Sequence, residues 1–183
     1  MRYAQDHKET VRARIVERAS RALRRRGLAG VSIPALMREA GLTHGGFYGH
    51  FRDRDQLIAE AVAFAGDETG ERVLGPGTTD PRSMLEAYLS PEHAAHPEFG
   101  CVIAALGTEG AHQSPELRRA FAETAKGLLK LVHAKLHPRS QSDVPSDDAL
   151  AMTSRMVGAV VLARLVDDEA LSRRILAAAR TVR

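Results

Sequence analysis

Three of the chain's eight aromatic residues, Phe47, Tyr48 and Phe51, fall within five positions in the segment GLTHGGFYGHF, residues 41–51. The same segment holds Gly45, Gly46 and Gly49, each of which costs a helix about 1 kcal/mol relative to alanine. A helical turn made of such residues holds only if Phe47 and Phe51, at i and i+4, point into a core, and the glycines then leave the other face bare. A bare backbone face permits close approach to a DNA groove that side chains would hold away. Thr43 with the amides of the first turn, Tyr48 and His50 are typed for phosphate contacts, and His44 sits where it could touch a base edge.

Helices must position these residues. Apolar spacing is nearly everywhere three or four, no stretch reads as a strand, and the chain is read as all-α. A first helix is expected over residues 7–26, with Gly27 as its stop. A second opens at Ser32, a good N-cap, with Pro34 tolerated in its first turn, and ends at Gly41. Thr43 begins a very short third, and two short helices across so tight a turn make a helix-turn-helix. A fourth opens at Asp53 and weakens at Gly66 and Gly70. Beyond a Gly/Pro-rich connection at 75–81, helices are expected at about 82–89, 98–110, 115–136, 147–166 and 168–180, with residues 137–148 a loop. The helix over 147–166 is apolar nearly all round, so its burial calls for its own core on one side and a second subunit on the other.

Charge separates the two ends. Residues 1–54 hold 12 Lys and Arg against 5 Asp and Glu, whereas the other 129 residues hold 14 against 18. A basic first third points to a polyanion at that end only, with a solvated arginine-rich helix end (Arg24, Arg25, Arg26) as the plainer account. With 44% hydrophobic and 27% charged residues the composition is that of a folding chain. The longest apolar run, residues 157–163, is far short of the ~20 residues of a bilayer span. With no signal segment and one cysteine, Cys101, the expected place is the cytoplasm, with no membrane contact.

Residues 10–64 resemble the DNA-binding domain of the TetR/AcrR family of bacterial transcriptional repressors. The resemblance is carried by Ser32 at the second helix's start, the turn Ala40 to Thr43, Tyr48, His50 and Phe51, then Arg54 ahead of Leu57. Arg54 stands where lysine is commoner, and either neutralises a phosphate. The resemblance implies an all-helical homodimer with a helix-turn-helix domain at 1–54 and a ligand-binding, dimerising domain at 55–183. It implies an operator-binding regulator, most simply a repressor, with Ser32, Thr43, His44, Gly45, Gly46, Tyr48, His50 and Arg54 at the DNA. It also implies a dimer interface from the helices near 115–136 and 147–166, and release from a pseudo-palindrome when a small effector resets the spacing of the two readers.

The second domain carries fewer signals. FGCVIAALGTEG, residues 99–110, resembles a segment that one branch of the family places beside its pocket, which makes Cys101 a candidate for sensing electrophiles or oxidants, against the plainer role of a buried apolar side chain. No Lys or Arg lies within seven residues of it. Phe64, Met84, Tyr88, Phe99, Phe121 and Met156 are further lining candidates by type, with core packing the alternative for each. The pairs His133/His137 and His93/His96 lack a third ligand, so no metal or cofactor is expected. No G-x-S-x-G, H-E-x-x-H or P-loop is present, which argues against an enzyme. A helical protein-interaction module without specific DNA binding would explain the late apolar helix but not the basic end or the glycine-bearing turn.

Overall fold

The computed structural model describes residues 2–75, 77 and 80–181, and the side chains of residues 2–6 and of His44 lie outside that description. Helix ends follow capping chemistry. Helix α1 (Arg2–Arg26) starts earlier than its apolar spacing predicts and stops at Gly27, whose φ of +76° only glycine adopts without strain. Helix α2 (Ile33–Glu39) is capped by Ser32, whose side chain accepts from the Ala35 amide, and Gly41 at φ +75° turns the chain into a tight 3-10 segment, His44–Gly49. Asp53 caps α3 (Arg54–Arg72) through the Gln56 amide at 2.8 Å. Gly66 and Gly70 do not end α3. At Gly66 a Cβ would stand 2.7 Å from Thr124, so this glycine lets α7 (Pro115–Leu136) pack close.

The helix expected over 98–110 is in fact a 3-10 turn followed by a shorter helix, and a short helix that the sequence reading left out precedes them. After α4 (Pro81–Tyr88) comes the short α5 (Pro91–Ala95), capped by Ser90, then a 3-10 turn at Pro97–Phe99, and α6 begins only at Val102 and runs to Gly110. Pro97 disfavours helical backbone at His96, and Gly100 is extended, so no continuous helix can cross. Helices α8 (Asp147–Leu165) and α9 (Glu169–Arg180) complete the chain, with no strand among the described residues.

Two cores form. The first joins Ile15, Leu23, Met37, Phe47, Phe51 and Leu57 to Val102, Leu106, Leu117 and Phe121, so α6 and the start of α7 help close the helix-turn-helix end. The second joins Met84, Tyr88, Cys101, Val132, Met156, Val160 and Leu176. Helix α8 buries Met152, Met156, Ala159 and Val160 while leaving Leu150, Leu162 and Leu165 at the surface, Leu165 at 75% exposure. Leu171 of α9 is exposed beside them in sequence order. The stretch 115–136, expected to share the interface with 147–166, packs on α3, α6 and α8 and turns Arg118, Arg119, Glu123, Lys126 and Lys130 to solvent. The second helix with an exposed leucine is α9, because α7 spends its apolar stripe on the cores.

Candidate nucleic-acid interface and effector cavity

The 3-10 segment is held as its aromatic spacing requires. Phe47 and Phe51 are buried, their rings stacked with centroids 5.5 Å apart, and Arg12 of α1 lies over Phe51 while its Nε donates to the His50 carbonyl at 3.2 Å. On the outer side Tyr48 is 66% exposed, Thr43, Gly45 and Gly49 are exposed, and a Cβ at Gly45 or Gly49 would meet nothing within 4 Å. Gly46 is half-buried over Thr43 and Met37. Ser32 is exposed with its hydroxyl engaged as the α2 cap, and the His44 side chain is outside the described residues. His50 is half-buried, and burial with Lys8 and Arg12 nearby lowers its pKa, which favours the neutral ring. Arg54 does not extend outward: its Nη2 donates to the Leu28 carbonyl at 2.5 Å, bracing the α1–α2 turn. Lys8, exposed and acting on His50, was not picked out from the sequence; only its place one turn before Arg12 on the same face could have signalled it.

A cavity of about 570 Å³ opens between α3, α6 and α7. Its floor includes Cys101, Ile103, Leu128 and Leu131, its waist the small residues Gly66, Thr69 and Thr124, and its rim Asp67, Glu71 and Glu123. Of the seven lining candidates read from the sequence, Cys101 alone contributes to this wall. Phe121 lines a shallower cleft with Ile103 and Arg118. Met84, Tyr88 and Met156 are fully buried in the second core, and Phe64 is half-buried. Phe99 is half-buried between the Arg21 and Arg72 guanidiniums, 5.0 and 4.9 Å from its centroid. Leu128 and Leu131 apart, the α3 and α7 residues that shape the cavity are small or polar and follow no motif, which is why the sequence did not reveal them.

The turn leading into Cys101 is strapped to α1. Arg24, 3% exposed, donates from Nη1 to the Gly100 carbonyl at 2.8 Å and from Nη2 to Ser20 Oγ at 3.1 Å, and it is ion-paired with the buried Glu68 of α3. Thr69 also donates to the Gly100 carbonyl, and Arg25 pairs with Glu98 at 2.8 Å. Just past the end of α1, the Leu28 amide donates to Glu109 near the end of α6 at 2.8 Å. The cavity wall and the helix-turn-helix thus share α1 as a common rod. The pair His133 and His137 is otherwise engaged: His133 meets Ser140 and Ser146, and His137 meets Asp148.

The helix-turn-helix, with its bare, aromatic-backed segment, is joined to a larger helical domain. Residues 15–61 match the family model described as bacterial regulatory proteins, tetR family. The chain is 24% identical over 164 residues to the HTH-type transcriptional regulator LmrA of Bacillus subtilis (strain 168), covering 84% of this chain and 86% of that one. Its fold is similar to a TetR transcriptional regulator from Chloroflexus aurantiacus J-10-FL (TM-score 0.74, 24% identity, 96% of this chain and 94% of that one). It is also similar to E. coli NemR in its reduced form (TM-score 0.71, 20% identity, 93% of each chain). Residues 15–61 thus match the DNA-binding segment of tetR-family regulators, and the chain as a whole shares the fold of the regulators above. Among the described residues no helix is long and apolar enough to cross a membrane.

Proposed function

We propose that the protein is a repressor that binds a pseudo-palindromic operator as a homodimer in the cytoplasm, and that it is released when a small effector fills the α3–α6–α7 cavity or when Cys101 is modified. The observation that carries this reading is the Arg24–Gly100 strap, which connects the cavity wall to the helix that supports the reading segment. Thr43, Gly45, Gly46, Tyr48 and His50 then face the DNA, with Ser32 and His44 at the ends of the contact, and Arg54 acting through the α1–α2 turn. The rim of Asp67, Glu71 and Glu123 favours a neutral or cationic effector over an anionic one.

Selection of duplexes from a random pool, followed by footprinting, tests the reading. Two protected half-sites a whole number of helical turns apart are expected. A dimer touching roughly 8 phosphates gives a log–log salt slope near −7. Gly45→Val, which has open space in the free protein, should fold normally and lose the footprint. Failure to retain any duplex, or a salt-independent affinity, would count against the proposal.

The dimer is assigned to α8 and α9. Each leucine taken from water is worth about 2 kcal/mol, counted twice by two-fold symmetry. Leu162→Glu with Leu165→Glu is therefore expected to give a folded monomer by sedimentation velocity that no longer binds the operator; a stable dimer would move the interface elsewhere.

A further inference from the structure

The turn between the reading segment and α3 is fastened to the start of α7 by two polar contacts. Arg52, with a side chain 63% exposed, donates from Nε to Asp53 Oδ2 at 2.5 Å and from Nη2 to both carboxylate oxygens of Glu116, at 3.0 and 2.8 Å. On the same two elements, Ser114 Oγ donates to Asp55 Oδ2 at 2.6 Å while accepting from the Leu117 amide as the α7 cap. Arg52 differs from the other arginines around the reading segment. Arg12 lies over the Phe51 ring and pairs with Glu60, and Arg54 turns inward to the Leu28 carbonyl, so both of those guanidiniums are committed within the head. Arg52 follows Phe51 directly, two residues from His50 and four from Tyr48, and its guanidinium is held by exposed carboxylates.

We propose that Arg52 is a ligand for a DNA phosphate and that Glu116 masks it in the free protein, so that the duplex and the effector domain compete for one guanidinium. The proposal rests on the reading of residues 43–50 as the DNA interface. A guanidinium that reaches both oxygens of a carboxylate reaches two oxygens of a phosphate in the same way, so Glu116 occupies the place of the phosphodiester. Magnitudes favour the exchange. An exposed ion pair shifts an equilibrium by only about a few-fold, whereas each phosphate neutralised also releases a condensed counterion. Arg52 thereby supplies the charge that the sequence assigns to Arg54. Once it moves, the first turn of α7 keeps the Ser114 to Asp55 bond alone of the two. The same helix contributes Thr124, Leu128 and Leu131 to the cavity, and by linkage an effector that prefers the masked form lowers DNA affinity by the factor of that preference.

The test is fluorescence anisotropy of a fluorescein-labelled, random-sequence duplex titrated with the full-length protein over a series of salt concentrations. Native protein, Glu116→Gln, Arg52→Gln and the double variant are compared. Both residues are exposed, so all four proteins should melt within about 4 °C of one another. Glu116→Gln is expected to bind about tenfold more tightly, a few-fold from each of two subunits. Arg52→Gln should bind more weakly and flatten the log–log salt slope by about 2, one phosphate per subunit. With Arg52 already replaced, Glu116→Gln should change affinity by less than about twofold, because the carboxylate acts through the guanidinium it masks. Equal affinities for native protein and Glu116→Gln, an unchanged slope in Arg52→Gln, or a Glu116→Gln gain that persists without Arg52 would each overturn the proposal and leave the interface reading standing. A native protein that retains no duplex even at low salt would overturn that reading and this proposal with it.

Discussion

Replacing Arg24 by methionine is expected to cost about 3–5 kcal/mol of stability, the range for removing one partner of a buried ion pair. In the folded protein Glu68 is 8% exposed, and the substitution leaves its carboxylate facing only the more distant Arg21 and Arg72, at 3.6 and 3.8 Å. The Gly100 carbonyl keeps only Thr69 as donor, and the Ser20 hydroxyl loses its partner. At about 2–4 °C per kcal/mol for a chain of this size, a thermal midpoint lower by about 10 °C follows, measured by calorimetry. Adding Glu68→Leu should restore most of the loss, because a matched apolar pair removes the buried charge along with its partner. An Arg24→Met variant as stable as the native protein would mean that the strap carries no energy.

Acid should weaken the fold well before the carboxylates titrate. Burial, reinforced by Arg164 and Arg24, lowers the pKa of His93 to about 4, although its bond to the Tyr88 carbonyl acts in the other direction. In the unfolded chain the same imidazole titrates near 6.5. Between these values the unfolded state binds more protons than the folded one, so stability is complete above about pH 6.5 and declines as pH falls toward 4. The loss is on the order of 3 kcal/mol at the low end of that window. Protonation also takes away the acceptor for the Cys101 amide, so the turn beside the cavity should loosen first. Denaturant melts at pH 7 and pH 4.5 measure this, with His93→Gln as the comparison. The native protein should lose stability between the two and the variant much less; equal losses would place the acid sensitivity elsewhere. Asp53, whose pKa is lowered by the Arg52 guanidinium and then by capping, and Asp80 and Asp148, lowered by capping and hydroxyl contacts, lose their contributions only at lower pH.

Local chemistry was legible in the sequence where it acts over three or four residues. Ser32 and Asp53 cap helices as read, and the pairing of Phe47 with Phe51 under a glycine face survives intact. The start of α6 was placed too early because the apolar run after Cys101 was extended backward across Gly100, and the short α5 was left unread although Ser90 and Pro91 announce its start. Long-range facts were not legible. Arg54 reads as a phosphate ligand by its place ahead of Leu57, yet it bonds the Leu28 carbonyl 26 residues away. Cys101 has no cation near it in sequence, but folding brings Arg24 to the carbonyl of the preceding residue and Arg164 to the carbonyl of His93, whose ring accepts from the Cys101 amide. Tyr88 and Met156 fit a pocket by type, and tight packing decides their burial.

The shared first core has a consequence for building hybrid regulators. A crossover anywhere before α6 would pair one protein's reading head with another's Val102, Leu106, Leu117 and Phe121, and would separate Leu28 from its Glu109 and Arg24 from its Gly100. Grafting the operator preference of this protein onto a relative's effector response therefore requires transplanting the inner faces of α6 and early α7 with the head, as one unit of inheritance drawn from two distant stretches of the gene.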